Sequence, residues 1–123
     1  MQPDTNPTFP HHRLDAYRVA LELAVEVRAI VALFPRGYAS LADQASRAAQ
    51  SAVLLVAEGA NRLGVGEKRS RFSLARGEVG ECAAALEIAL ALGLVGAVRV
   101  APAMERAARL AAMLTGLIRR FRG

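Results

Sequence analysis

Five cations fall close together at Arg62, Lys68, Arg69, Arg71 and Arg76, offset only by Glu67. Three more, Arg119, Arg120 and Arg122, follow near the end of the sequence. Seven of these eight are arginine, whose planar guanidinium grips phosphate oxygens in pairs and stays charged at any ordinary pH. The chemistry they fit is phosphate-directed binding of a polyanion, RNA or DNA. The competing reading is two solvated faces, with residues 119–122 completing the dipole of a last helix. The net charge is +5, with −1 on residues 1–35 and +3 on each of 36–80 and 81–123. Few aromatic residues (5%) are available to stack on bases, which argues against base-specific readout.

Other reactive side chains make no catalytic set, and the expectation is a protein that is not an enzyme. His11 and His12 are the only histidines, and both lie in the stretch MQPDTNPTFPHH, outside any helical pattern. Glu-x-x-His and His-Glu-x-x-His metal motifs are therefore absent. A single cysteine, Cys82, excludes an internal disulfide and a Cys-rich zinc site, and among alanines it reads as a small core residue. Glu58 has no second acid nearby for proton transfer. It reads as half of a structural ion pair, with Arg47 eleven residues earlier, or with Arg71 or Arg76 of a following helix. Gly64-Val65-Gly66-Glu67-Lys68 lacks the Gly-Lys-Ser/Thr ending of a phosphate loop and reads as a turn. No cofactor or metal is expected.

These side chains must be carried by helices. The composition is 54% hydrophobic, 22% charged and rich in alanine, and lacks tryptophan, which favours packed helices over a β-sandwich. Residues 1–12, with three prolines, read as a flexible arm. Residues 13–123 read as one domain. Leu14, Tyr17, Leu21, Ala24, Val27, Val31 and Phe34 recur at helical spacing, with Asp15, Arg18, Glu22 and Glu26 opposite. Pro35 closes this first helix, about 14–34. Ser40-Leu41-Ala42-Asp43 has the Ser-x-x-acid pattern that opens a second helix, about 40–63. A third spans about 67–92, and Pro102 suits the first turn of a fourth, about 102–120. Short links predict an all-α, up-down-up-down antiparallel four-helix bundle.

The apolar content exceeds what one such bundle of 123 residues can cover. The second to fourth helices carry apolar residues on more than one side, which requires a further face to bury. A homo-oligomer is expected, with Val53, Leu54, Val56, Leu110, Met113 and Leu117 at its interface; docking of a different protein is the other outlet. Residues 82–98 are too short and too alanine-rich to span a membrane. The N-terminal residues lack the basic and apolar regions of a secretory signal. A single cysteine agrees with a reducing compartment, so the expected location is the cytoplasm.

A set of short stretches in fixed order carries a resemblance. These are Leu14-Asp15-Ala16-Tyr17, Phe34-Pro35, Leu41-Ala42-Asp43-Gln44, Arg47-Ala48-Ala49 with Ser51, Ala57-Glu58-Gly59-Ala60, Ala75-Arg76-Gly77 and Glu81-Cys82-Ala83-Ala84. Together, over about residues 13–95, they resemble the four-helix-bundle proteins of the 23S rRNA intervening-sequence family. The resemblance implies a bacterial protein that assembles as a homopentameric barrel and binds nucleic acid through basic surface. It also implies kinship with a branch that assists reverse transcriptases in diversity-generating retroelements. The family pattern Ser-Ile-Pro-x-Asn-Ile-Ala-Glu-Gly is altered here: Ala52 and Val53 replace Ile-Pro, and Leu55 replaces Asn. Glu78 stands where the family has Ser after Ala-Arg-Gly, and Gly80 where a larger residue is common.

Overall fold

The computed structural model describes residues 8–122. It contains a 3₁₀ turn at Pro10–Arg13 and four helices: α1 Asp15–Val31, α2 Ala39–Asn61, α3 Val65–Ala91 and α4 Ala97–Arg120. No strand occurs among the described residues, so the chain is an all-α four-helix bundle. Each of α1 and α3 packs against both α2 and α4, while α1 and α3 do not meet, nor do α2 and α4. The 3₁₀ turn packs against α1 and α2. Its residues, expected as part of a flexible arm, are therefore docked, held by the ring of His11 against Tyr17 and Asn61. The rest of that expectation, residues 1–7, lies outside the described residues.

The core is apolar throughout, with no buried polar or charged residue among those described. Helix α1 contributes Ala16, Val19, Ala20, Leu23, Val27 and Ile30. This corrects the expected stripe, of which only Val27 is fully buried and Leu21 is 41% exposed. Both sets obey the three-and-four spacing, because α1 is apolar over an arc wider than one stripe. Much of the core is alanine, including Ala45, Ala48, Ala49 and Ala52 of α2 and Ala75, Ala85 and Ala89 of α3. Small side chains let the helices approach closely while Phe72, Leu23, Leu86, Leu110 and Leu114 fill the space between. Deleting a buried methyl group from such packing is felt directly.

The helix ends follow local chemistry. Before Pro35 the chain tightens: Leu33 N–H donates to Ile30 O at 3.0 Å and Phe34 N–H to Val31 O at 3.1 Å. These shorter-range bonds end α1 three residues ahead of the expected boundary, since a residue before proline is excluded from the α region. Ser40 does not cap α2; the helix starts at Ala39 behind Tyr38, which has no side-chain cap. At the end of α3, Leu94 N–H donates to Ala89 O (2.9 Å) and Gly93 N–H to Leu90 O (3.0 Å). Gly93 has φ +75°, so this is a Schellman ending that needs glycine there.

Helix α4 begins at Ala97, five residues before the expected start, and Pro102 lies inside it. An interior proline removes a backbone bond and costs on the order of 3 kcal/mol. Two gains oppose that cost. Val100 is buried to 1% exposure, and Arg99 reaches Glu26 of α1. Glu26 accepts from Arg99 Nη1 at 2.7 Å and from Arg106 Nη1 at 3.1 Å, and Glu22 lies 3.6 Å from Arg106 Nε and 3.3 Å from Arg18 Nη1. The acids placed opposite the stripe of α1 thus face the basic residues of α4 across a half-buried seam. Glu26→Gln is expected to lower stability by about 1 kcal/mol, within the range for partly exposed, doubly bonded ion pairs. A fall in the urea midpoint at constant m would register it.

Candidate nucleic-acid interface

The two cationic clusters meet at one end of the bundle. The link from α2 to α3 carries Arg62, the start of α3 carries Lys68, Arg69 and Arg71, and the end of α4 carries Arg119 and Arg120, with Arg122 just after it. Arg69 Nη1 donates to Phe121 O at 3.0 Å, which ties the start of α3 to the end of α4. Lys68 Nζ donates to Ala60 O at 2.9 Å and Gly59 O at 3.3 Å, completing carbonyls that α2 leaves without helical partners. The same ammonium lies 5.7 Å from the centre of the Phe121 ring, and Arg120 lies 5.4 Å from it on its own account. Phe121 stacks in turn on buried Phe72, centroids 6.0 Å apart.

Half of the eight expected phosphate ligands therefore have internal partners. Besides Lys68 and Arg69, Arg76 Nε donates to Thr115 Oγ1 at 2.7 Å, and Arg71 Nε lies 3.1 Å from Glu58 Oε1. The Arg71–Glu58 contact is one of charge, because Nε is enclosed without a hydrogen bond of good direction. No carboxylate among the described residues pairs with Arg62, Arg119, Arg120 or Arg122, and all four are exposed. Their guanidinium groups are the ones open to a phosphate. The α4 carbonyls beside Arg119 and Arg120 make that helix end negative and favour cations there.

Two expectations need correction. Glu58 pairs with Arg71 and not with Arg47. Eleven residues along a helix separate two side chains by about 16 Å of axial rise, beyond their combined reach, whereas Arg71 faces Glu58 from α3. Arg47 instead lines a polar cleft of about 230 Å³ with Gln44, Ala48, Ser51, Glu78 and Glu81. Of the expected interface residues, Val53 (9% exposed), Val56 (0%) and Leu110 (0%) are buried within this chain's own core. Val53 and Val56, three residues apart, share the buried face of α2, and Leu110 belongs to the buried face of α4. Met113 and Leu117 are half-buried against the same core, and Leu54 alone of the six is well exposed, at 64%.

The exposed apolar side chains lie elsewhere: Leu21 and Val25 on α1, Leu74 and Ile88 on α3, Val98 on α4 and Leu63 in the turn. Sequence reasoning missed these, and it missed the α1–α4 ion pairs. The signal for the latter was present as Glu22 and Glu26 one turn apart, and Arg99 and Arg106 two turns apart. Cys82 is buried among core side chains, and burial pushes its thiol up to about 11, so it stays protonated near neutral pH. Among the described residues no group of three or more His, Cys, Asp or Glu is placed to hold a metal ion. None of their helices is long and apolar enough to cross a membrane.

The described residues form an all-α four-helix bundle with arginines gathered at one end. The family model described as 23S rRNA-intervening sequence protein matches residues 12–116, and the chain belongs to that family. No curated protein sequence matches it. The matched region spans the four helices as far as Gly116 and stops short of Arg119, Arg120 and Arg122.

Proposed function

We propose that the protein is a non-enzymatic, oligomeric nucleic-acid-binding protein of the bacterial cytoplasm, holding RNA or DNA by its phosphates with little regard to sequence. The observation that carries this reading is the set Arg62, Arg119, Arg120 and Arg122, exposed and without carboxylate partners at one end of the bundle. Lys68, Arg69, Arg71 and Arg76 hold the helix ends together and contribute field more than contacts. The helices run alternately up and down, a reading supported by the short links 32–38, 62–64 and 92–96. A homopentamer, as the family resemblance implies, would repeat the cationic end around a ring. The exposed Leu54, Leu74, Ile88 and Val98 support burial of further surface by assembly.

A second reading rests on Leu21 and Val25, exposed apolar side chains in a hollow between α1 and α4 that is rimmed by Arg18, Glu22, Glu26 and Arg106. There the protein would be a scaffold docking another protein, such as a reverse transcriptase, with nucleic acid incidental. Sedimentation of the purified chain with and without a fluorescent single-stranded RNA separates the two. A saturated oligomer that carries the RNA with it at low salt supports the first reading. A monomer that leaves the RNA behind supports the second.

A further inference from the structure

We propose that His11 forms a proton-operated latch, docking the Phe9–Arg13 turn on the end of α2 at neutral pH and releasing it in mild acid. The argument begins with Asn61. Its Nδ2 lies 2.7 Å from Ala57 O, and a carbonyl oxygen can only accept, so the orientation of the Asn61 amide is fixed. The same Nδ2 lies 2.8 Å from His11 Nδ1. Asn61 therefore donates to His11, whose Nδ1 must present a lone pair and no proton. In the neighbouring ring the Phe9 backbone N–H donates to His12 Nδ1 at 3.1 Å, so that nitrogen is an acceptor as well. His11 thus holds the turn as a neutral ring with its proton on Nε2.

Protonation at His11 Nδ1 turns an acceptor into a donor facing the Asn61 donor. The charge it adds also faces the His12 ring, with centroids 4.3 Å apart. The surroundings among the described residues offer no paired carboxylate. From α1 the turn meets the Tyr17 ring, 4.6 Å from His11, while Asp15 of the same helix lies 3.8 Å from Arg18. From α2 it meets Asn61, with the cation Arg62 next along the chain and Glu58 paired to Arg71. Within the turn, Phe9 stacks on His11 at 5.6 Å, and Arg13 adds a further positive charge. No carboxylate among the described residues pairs with either imidazole.

Burial first, and the adjacent His12 second, hold the His11 pKa below its ordinary 6.5. The released turn consequently binds more protons than the docked one. Docking is fully supported above pH 6.5 and is lost as the pH falls below that value and through the lowered one. Release adds charge next to Arg62, but the latch itself does not depend on what the cationic end binds.

NMR of the full chain between pH 8 and 5 tests the latch. The expected result is a His11 midpoint below 6.5, with the Asn61 side-chain amide and Tyr17 ring signals moving at the same midpoint. His12→Gln keeps an acceptor without the second charge, and Asn61→Ala removes the donor at an exposed helix end. Each is expected to raise the His11 midpoint toward 6.5. A wild-type His11 midpoint at or above 6.5, or Asn61 and Tyr17 signals that stay constant while His11 titrates, would overturn the proposal.

Discussion

Replacing Arg62, Arg119, Arg120 and Arg122 together by glutamine is expected to weaken RNA binding about 100-fold at low salt while leaving the thermal transition nearly in place. All four side chains are exposed and none pairs with a carboxylate among the described residues, so their loss breaks no ion pair of the fold. Each phosphate contact given up forfeits the release of a condensed counterion, and four such losses multiply. Glutamine is shorter but stays polar and uncharged, so the change chiefly removes charge. The matching variant, Lys68→Met with Arg69→Met, is expected to do the opposite. It orphans the carbonyls of Ala60, Gly59 and Phe121, lowering stability by roughly 1 kcal/mol per lost bond, and touches RNA affinity less. Fluorescence anisotropy with a labelled single-stranded RNA and a melting curve on each variant separate the two roles.

Phe72→Ala is expected to cost about 3–5 kcal/mol, the usual range for deleting a buried aromatic side chain. Phe72 is 1% exposed, packs on Phe121 and presses directly on α2 at Gly59. A Cβ at Gly59 would stand 2.7 Å from Phe72 Cε1 and 2.8 Å from Cδ1. Gly→Ala inside an ordinary helix gains up to about 1 kcal/mol. Here Gly59→Ala is expected to lose about 1–3 kcal/mol, because either the ring leaves its site or α2 and α3 move apart. The two changes should couple: with Phe72 already alanine, the clash is gone and the methyl group occupies part of the void. Urea unfolding of the single and double variants at fixed protein concentration measures this. The double variant should be more stable than the sum of the two singles predicts, and strict additivity would contradict the close approach.

That contact shows what was legible in the sequence. Glu58-Gly59 belongs to one of the stretches that carried the family resemblance, but its reason, an aromatic ring thirteen residues later, is a tertiary fact. The four helices were legible because Pro35, Gly64 and Gly93 punctuate long segments of helix-forming residues, of which the first is amphipathic. The start of α4 was not. Pro102 is a good first-turn residue by local rules, and only the burial of Val100 and the Arg99–Glu26 pair show that the helix begins earlier. The inward face of α1 was misread by about one position because two apolar stripes overlap on it, and alanines decide between them. The cationic residues were legible as a charge cluster. Which of them remain available was not, since partners such as Phe121 O and Thr115 lie far away in sequence.

The most direct test of phosphate-directed binding is the salt dependence of RNA affinity for the unaltered chain. Four phosphate contacts on a single strand predict that log K falls with log salt at a slope of about −3 per chain. That corresponds to a loss of roughly 50-fold between 50 and 200 mM, and the four-glutamine variant should abolish most of the slope. An affinity that does not change with salt, or a slope that survives the loss of all four arginines, would contradict the assignment of this end of the bundle to nucleic acid.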